Sequence, residues 1–592
     1  MEMINLTIDG QKVQVPEGTT VLEAARKAGI DIPTLCYLKD INKIGACRVC
    51  LVEIEKTRGL QPSCTYPVSE GMHVKTNTPL IREARKAVVE LILSNHPMEC
   101  LTCNRNRNCE LQALSKQLGI TDIRFQGENT TFPMDFSSAA VERIPDKCIL
   151  CRRCVAVCGK AQGIGILGAT ERGFKSIVAP AFHRPLAEVN CVLCGQCINV
   201  CPVGALREKS HVQKVWDAIA NPDKVVFVQT APAVRAALGE EFGLPIGTIV
   251  TKKMVAAIRR LGIDKVFDTD FTADLTIMEE GSELVQRIKN GGKLPLITSC
   301  SPGWVKYCEH HAPEFLENMS TAKSPQQMFG ALVKTYGAEK YGIDPARIFS
   351  VSVMPCTAKK FEAERPEMKA SGFTDVDAVL TTRELASMIK EAGIDFAALP
   401  DEEYDDPMGM STGAGLIFGV TGGVMEAALR TVYELVTGEH LEKIDFVAVR
   451  GLKGVKEATI ELPPVGTVRV AVAHGLGNAK KLLDKVKAGE QYHFIEIMAC
   501  PGGCINGGGQ PIVSSAERMR LPEDYRAMRA KAIYQEDKGM IMRKSHENPA
   551  IIKIYEEFLL KPLGEKSHHL LHTHYQPRVK YRALANQEEC KE

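Results

Sequence analysis

The chain has 592 residues, enough for about four domains at roughly 150 residues each. Its 73 basic and 72 acidic residues leave a net charge of +1, which argues against a nucleic-acid-binding surface or an acidic tail. Hydrophobic residues make up 45% and charged residues 24%, an ordinary globular composition, and no apolar run reaches the ~18 residues that span a bilayer. The opening segment MEMINLTIDG has no basic stretch followed by an apolar one, so it does not read as a signal peptide and the cytoplasm is the expected compartment.

Cysteine usage is the informative feature. There are 21 cysteines, and 15 of them lie between Cys36 and Cys201. In a small secreted chain that density means disulfides; without a secretion signal, and at such tight spacings, thiolate ligation of metal is the better reading. The chain is expected to be an α+β multidomain protein. Residues 1–80 read as a small β-rich, β-grasp-like domain: INLTIDG and QKVQVPEG form strands around a glycine turn, and TVLEAARKAG follows as a helix. This segment carries Cys36, Cys47, Cys50 and Cys64, four thiolates that suit a [2Fe–2S] cluster, with a structural zinc ion as the alternative. Residues 81–127 open with the helical pattern IREARKAVVELILSNH and continue into His96, Cys100, Cys103 and Cys109. Three cysteines and a histidine hold either Zn²⁺ or a [4Fe–4S] cluster; the iron–sulfur company on both sides favours the cluster.

Residues 128–208 are loop-rich and contain the one internal repeat, a pair of cysteine runs. Cys148, Cys151, Cys154 and Cys158 are followed by Cys191, Cys194, Cys197 and Cys201-Pro202. This is the bacterial two-cluster ferredoxin spacing, in which the fourth cysteine of each run ligates the other cluster. The expected sets are therefore Cys148, Cys151, Cys154 with Cys201, and Cys191, Cys194, Cys197 with Cys158. Four accessory clusters, one [2Fe–2S] and three [4Fe–4S], make an electron wire that does not say what sits at its end.

Residues 209–592 read as a large α/β domain whose portion beyond about 520 is mostly helical and ends in a His-rich tail. Three cysteine loops here each follow a predicted strand. LPLIT runs into Ser299-Cys300-Ser301-Pro302, FSVSVM into Pro355-Cys356, and FIEIM into Ala499-Cys500-Pro501-Gly502-Gly503-Cys504. Ligands gather outside the carboxyl ends of strands in α/β sheets, so the three loops can surround one centre. The run Gly507–Gly509 would let backbone approach a cofactor closely. Cys308 is expected to pack on a helix rather than to serve as a substitute ligand, His568, His569, His572 and His574 to form a docked or frayed tail rather than a metal site, and Cys590 to be a free thiol.

The segments TSCSPGW, MPCTAKKFE and EIMACPGGCINGGGQP resemble the three signature segments of [FeFe]-hydrogenases, and the resemblance covers essentially the whole chain. It implies an H-cluster: a [4Fe–4S] cubane joined to a diiron centre that carries CO, cyanide and a bridging dithiolate. It implies interconversion of H2 with protons and electrons. By motif, Cys356, Cys500 and Cys504 would hold the cubane, Cys504 bridging to the diiron unit. Met354 and Met498 would pack against the diiron site, and Lys359 would donate to a cyanide nitrogen. Ala231, Pro232, Gln326 and Phe418 resemble other pocket positions. The family's first segment usually reads TSCCP; here a serine, Ser301, stands in the ligand position beside the relay cysteine Cys300. Three arrangements follow: Ser301 ligates iron, Cys300 shifts into ligation, or the fourth iron takes another ligand.

Glu280, Glu283 and Arg287 are spaced i, i+3, i+7 and share one helix face. They are either a charged solvent face or, with Cys300 and Ser320 as the resemblance implies, a proton relay. No flavin or nicotinamide motif is present, so NAD(P) chemistry would need flavin- and NAD(P)-binding partner subunits; ferredoxin is the other expected partner. The serine of TSCSP and the SHHLLHTHY tail resemble catalytic subunits of NAD(P)-linked, electron-bifurcating hydrogenases. In this family other proteins mature the diiron centre. The alternatives are an H2-sensing relative, which tends to lose the relay cysteine, and a non-catalytic iron–sulfur subunit, which should lack MPCxxK.

Overall fold

The computed structural model describes residues 2–463 and 466–579; Cys590 lies outside the described residues. The architecture is mixed α/β and multidomain. At the N-terminus β1 (Met3–Ile8) and β2 (Gln11–Pro16) pair antiparallel around Asp9-Gly10, both at positive φ, a turn whose twist matches its flanking strands. Helix α1 (Val21–Lys27) starts at a reciprocal cap: the Thr20 hydroxyl accepts from the Glu23 amide, and the Glu23 carboxylate accepts from the Thr20 amide. With β3 (Leu51–Ile54), β4 (Gln61–Pro62) and β5 (Met72–Lys75) the sheet order is β2-β1-β5-β3-β4. Helix α2 (Pro79–Leu93) has proline at its first position and buries Ile81, Val89 and Leu93.

The repeat in residues 128–208 extends to the backbone. Each cysteine run enters a short helix, Arg153–Ala156 or Gln196–Val200. Before each helix two residues take left-handed φ: Leu150 and Arg152 in the first run, Leu193 and Gly195 in the second. Such paired reversals wrap a short loop around a central point, which three closely spaced ligands require.

The catalytic-type domain contains β6 (Val225–Thr230), β7 (Lys265–Asp268), α3 (Thr269–Asn290), β8 (Leu296–Ile297), α4 (Pro302–His311), β9 (Ile348–Met354), β10 (Ala378–Thr381), β11 (Val455–Leu462), β12 (Gly466–His474) and β13 (Phe494–Met498). One sheet, in the order β7-β6-β9-β10, is wholly parallel. The other, β8-β13-β12-β11, is parallel except for its edge strand β11. Strands β9 and β13 are buried almost throughout, as parallel strands covered on both faces must be. The carboxyl ends of β6 and β9 from one sheet, and of β8 and β13 from the other, converge on one space. The expected strands before all three cysteine loops are present, but they come from two sheets rather than one.

Residues 525–571 are mostly helical and pack on this domain, the last described helix being α5 (Glu565–Leu571). The His-rich tail is docked: the Thr573 amide donates to the Thr321 carbonyl at 2.8 Å, and His572 bridges to Ala322. Among the described residues no helix is long and apolar enough to cross a membrane.

Candidate active site and metal centres

All cysteines among the described residues are free thiols. Their grouping follows the spacing. Cys36, Cys47, Cys50 and Cys64 are in mutual contact: Cys36 has sulfur hydrogen bonds with Cys47 and Cys64, and Cys64 has another with Cys50. His96, Cys100, Cys103 and Cys109 line one cavity of about 320 Å³, and the buried His96 Nδ1 has no hydrogen-bond partner among the described residues. Burial lowers the His96 imidazole to about 4, so the ring is neutral and has a lone pair to offer a metal. Cys148, Cys151, Cys154 and Cys201 line a cavity of about 470 Å³. Cys158, Cys191, Cys194 and Cys197 line another of about 500 Å³. The fourth cysteine of each run has crossed to the other set.

The largest of these spaces, about 820 Å³, lies where the two sheets meet. Its wall includes Cys300, Ser301, Cys356, Cys500 and Cys504, with Ala231, Pro232, Gln326, Met354, Lys359, Phe418 and Met498. Every pocket residue expected from the sequence therefore faces one space. Thiols, thioethers and apolar carbon dominate the lining, a soft donor set that suits iron–sulfur chemistry and repels water. Cys194 lines this cavity and also the neighbouring ferredoxin-type one. The two domains are clamped there: the Thr357 hydroxyl donates to the Leu193 carbonyl (2.7 Å), Gln196 to the Asn506 carbonyl (2.8 Å) and Asn199 to the Gly507 carbonyl (3.0 Å).

The glycine run divides its work. Gly507 lines the cavity, as expected. Gly508 and Gly509 instead meet protein: a Cβ on Gly508 would lie 2.5 Å from the Cys194 carbonyl oxygen and 2.6 Å from the Gly195 Cα. Close approach of two backbones, rather than of backbone to cofactor, requires glycine at 508.

Cys300 and Ser301 face different surroundings. The Ser301 hydroxyl accepts from the Ala499 amide at 3.2 Å, beside Cys500. The Cys300 thiol is surrounded by Glu280, Lys359 and Cys504, and burial pushes it far above its ordinary range, so it is protonated. Cys308 is buried on α4 and donates to the Ala312 carbonyl (3.3 Å), which removes it from ligation. Lys359 donates to the Glu362 carboxylate (2.8 Å) and the Cys300 carbonyl (3.1 Å), which leaves its third N–H for the cavity it lines.

The face of α3 bearing Glu280 and Glu283 is not solvent-facing: they are 2% and 7% exposed. Glu280 stands beside Cys300 and within hydrogen-bond reach of the Ser320 hydroxyl. Burial, reinforced by the charges of Glu283 and Glu496, pushes its carboxyl up to about 8. Ser320 donates to Glu283 Oε2 at 3.0 Å, and Arg287 Nη2 to Glu283 Oε1 at 2.6 Å. Arg287 also donates to the Lys293, Glu317 and Met319 carbonyls at the end of α3. Glu280, Ser320, Glu283 and Arg287 thus follow one another through hydrogen-bond contacts, and the charge of Glu280 is felt by Cys300 at the cavity.

Sequence reading missed two contributors. Glu362 accepts from Lys359, Ser324 (2.9 Å) and Gln326 (3.0 Å) and so orients the polar corner of the cavity; its i+3 spacing from Lys359 was the available signal. Thr321 donates to Glu283 and also contacts His572 of the C-terminal segment, whose other ring nitrogen faces Glu279, a link across about 250 residues that no local pattern reveals.

Comparison with known proteins follows the same division. The iron only hydrogenase large subunit, C-terminal domain matches residues 224–508, and the iron hydrogenase small subunit matches 523–578. A 2Fe-2S iron-sulfur cluster binding domain matches 1–79, the NADH-ubiquinone oxidoreductase-G iron-sulfur binding region 85–124, and a 4Fe-4S dicluster domain 147–205. The chain is 54% identical to the NADP-reducing hydrogenase subunit HndD of Solidesulfovibrio fructosivorans, over 97% of this chain and 99% of the relative. It is 45% identical to iron hydrogenase 1 of Clostridium pasteurianum, over 97% of this chain and the whole relative. Among solved structures, a variant of the [FeFe]-hydrogenase HydA1 of Chlamydomonas reinhardtii matches with TM-score 0.55 and 44% identity, covering 63% of this chain and all of that one. Domains, thiol-lined cavity and relatives agree, and the chain is a member of the iron-only, or [FeFe]-, hydrogenase family.

Proposed function

We propose that this chain interconverts H2 with protons and electrons at an H-cluster held in the cavity between the two sheets. The observation that carries the reading is the meeting of three cysteine loops, Lys359 and the inner end of a buried proton relay in one water-poor space. When bound, the cluster supplies the redox-active iron at which H2 is cleaved or formed. The chain's own residues do the rest. Cys356, Cys500 and Cys504 would ligate the cubane, and Ser301, which lines the same cavity and accepts from the Ala499 amide next to Cys500, would take its fourth position. Met354, Met498, Ala231, Pro232 and Phe418 exclude water, and Gln326 offers to the polar corner a buried Oε1 without a hydrogen-bond partner among the described residues. Lys359 keeps one N–H for the cavity and would donate it to a cyanide nitrogen of the bound group. Protons pass between Cys300 and Glu280, then through the Ser320 hydroxyl to Glu283 and Arg287.

The two ferredoxin-type sites would hold [4Fe–4S] clusters, with Cys194 in the wall shared with the central cavity. The His96 set would hold a third and the Cys36 set a [2Fe–2S] cluster, its Asn42 side chain bridging the Cys36 and Cys151 carbonyls, and together these groups would supply electron transfer to and from the cavity. The named relative with 54% identity is a subunit of an NADP-reducing hydrogenase. We infer that this chain too is one subunit of an NAD(P)-linked hydrogenase, and we further propose that it is cytoplasmic, exchanges electrons with ferredoxin and with flavin- and NAD(P)-binding partner subunits, and is loaded with its diiron unit by maturation proteins. Infrared spectroscopy of the matured protein tests the core of this reading. Bands from metal-bound CO and cyanide, altered by H2, are expected; a protein that holds all its iron–sulfur clusters after maturation yet shows no such bands is not a hydrogenase.

A further inference from the structure

Glu283 Oε2 accepts from three donors: the Ser320 hydroxyl (3.0 Å), the Thr321 amide (3.1 Å) and the Thr321 hydroxyl (3.2 Å). The Thr321 hydroxyl has a second acceptor in reach, His572 Nδ1 at 2.8 Å. A hydroxyl carries one proton, so it cannot donate to both. The other side of the His572 ring is held by Glu279: Nε2 lies 3.1 Å from Glu279 Oε2. That carboxylate is fixed by the Tyr555 hydroxyl (2.5 Å) and the Leu563 amide (2.8 Å). The His572 side chain is fully enclosed, and the exposed His568 ring stacks on it at 4.9 Å, with His574 beyond. The charged and titratable groups around His572 are therefore Glu279, Glu283 and Arg287 on α3, Tyr555 on the preceding turn, and His568 and His574 on its own segment.

We propose that His572 is a positioning residue for the proton relay: its protonation state selects which way the Thr321 hydroxyl points, and so whether Glu283 has its third donor. The ring nitrogens dictate the two states. A neutral imidazole that donates Nε2–H to Glu279 presents a bare Nδ1; Thr321 then donates to His572, and Glu283 loses that bond. An imidazolium donates from both nitrogens; Nδ1–H then points at the Thr321 oxygen, which turns its own proton onto the Glu283 carboxylate. A proton taken up at the C-terminal segment is thereby felt by the relay without travelling along it. The transfer of orientation needs no atom beyond Thr321, and the nearby exposed His568 and His574 place solvent close to the switch. The inference rests on the reading of Glu283 as a relay residue.

The test is the pH profile of H2 turnover in the matured enzyme, with the hydrogen-bond-sensitive infrared carboxyl stretch that Glu283→Gln removes as a second readout. His572→Gln cannot ionise, and its profile is expected to diverge from wild type on the acid side by about one pH unit and to rejoin it at alkaline pH, since a charge-assisted bond is worth about that much. Thr321→Val should move the profile and the stretch at every pH, Thr321→Ser should restore both, and His572→Gln should add nothing in the Thr321→Val background. A His572→Gln enzyme whose rate falls uniformly with an unshifted profile and stretch overturns the proposal, as does an additive double variant. Should His572→Gln fail to hold its clusters, the Thr321 pair decides alone: a Thr321→Val profile parallel to wild type overturns it. Wild-type turnover by Glu283→Gln would instead remove Glu283 from the relay, an outcome distinct from failure of the switch because the stretch, read in the His572 and Thr321 variants, still reports the coupling.

Discussion

Replacing Glu280 by glutamine should slow the enzyme and stabilise it at the same time. The carboxyl is fully enclosed and its pKa is pushed from 4.5 up to about 8, chiefly by burial. Between those two values the folded chain holds a proton that the unfolded chain has released, so stability falls as pH rises through the window. By linkage the penalty reaches about 4 kcal/mol near pH 7.5, at about 1.4 kcal/mol for each pH unit above the unfolded value. Glutamine fills nearly the same volume and never ionises, so the variant escapes the penalty. It also cannot exchange a proton, and turnover should drop by about 10²–10⁴-fold, the usual worth of general acid–base transfer. Trp304 is fully buried in α4 directly behind Ser301 and reports on this domain, so its fluorescence can follow urea unfolding. The stability gap between variant and wild type should widen by about 3 kcal/mol from pH 5 to pH 8. A gap independent of pH would mean that Glu280 is not held protonated, and undiminished turnover would take it out of the relay.

Three further outcomes are expected. Ser301→Cys should keep the cubane and shift its reduction potential, whereas Ser301→Ala should weaken or break it and Cys300→Ala should stop turnover with the CO and cyanide bands intact; a cubane untouched by both alanine substitutions points to an outside ligand. Protein made without diiron maturation should contain about 18 iron atoms per chain by this ligand assignment; about 14 iron with one zinc would show that the His96 site binds zinc. Gly508→Ala pushes a methyl into the Cys194 loop, a strain of about 1–3 kcal/mol, and should slow H2-driven dye reduction while sparing H2/D2O isotope exchange, which needs no electrons to leave. Equal losses in both assays would place the damage in the cavity rather than at the domain contact.

Much of the site was legible because its chemistry is written in short spacings. A cysteine ligand set reads locally: CxxCxxC fixes three donors around one point, and the left-handed residues between them are the backbone's way of closing that loop. The strand-then-cysteine pattern gave all three loops of the central cavity. It could not say that β9 belongs to one sheet while β8 and β13 belong to another, since strand hydrophobicity carries no record of its neighbours. The i, i+3, i+7 spacing put Glu280, Glu283 and Arg287 on one face but could not distinguish a buried relay from a solvated stripe; packing of α3 against the helices Pro325–Leu332 and Gly423–Thr437, remote in sequence, decides that. Gly508 was visible as a glycine, yet what presses on it comes from Cys194 and Gly195, more than 300 residues earlier. Ser301 remains a departure whose placement beside Ala499 and Cys500 is structural information only.

The clamp between Gln196 and Asn506 spans 310 residues of sequence, and that interval is also an interval of time. At roughly 5–20 residues per second, a ribosome takes about 15–60 s to make the second half of the contact after the first has emerged. Throughout that wait the two cysteine runs have no catalytic domain to cover the Cys194 loop. The N-terminal segments must therefore hold their thiols reduced, or already metallated, on their own core of Leu167, Ile198, Val203 and their neighbours. Oxidant present during synthesis would strike this exposed loop before it could reach the enclosed cavity, so the damage done by air to growing cells and to the finished enzyme should fall on different cysteines.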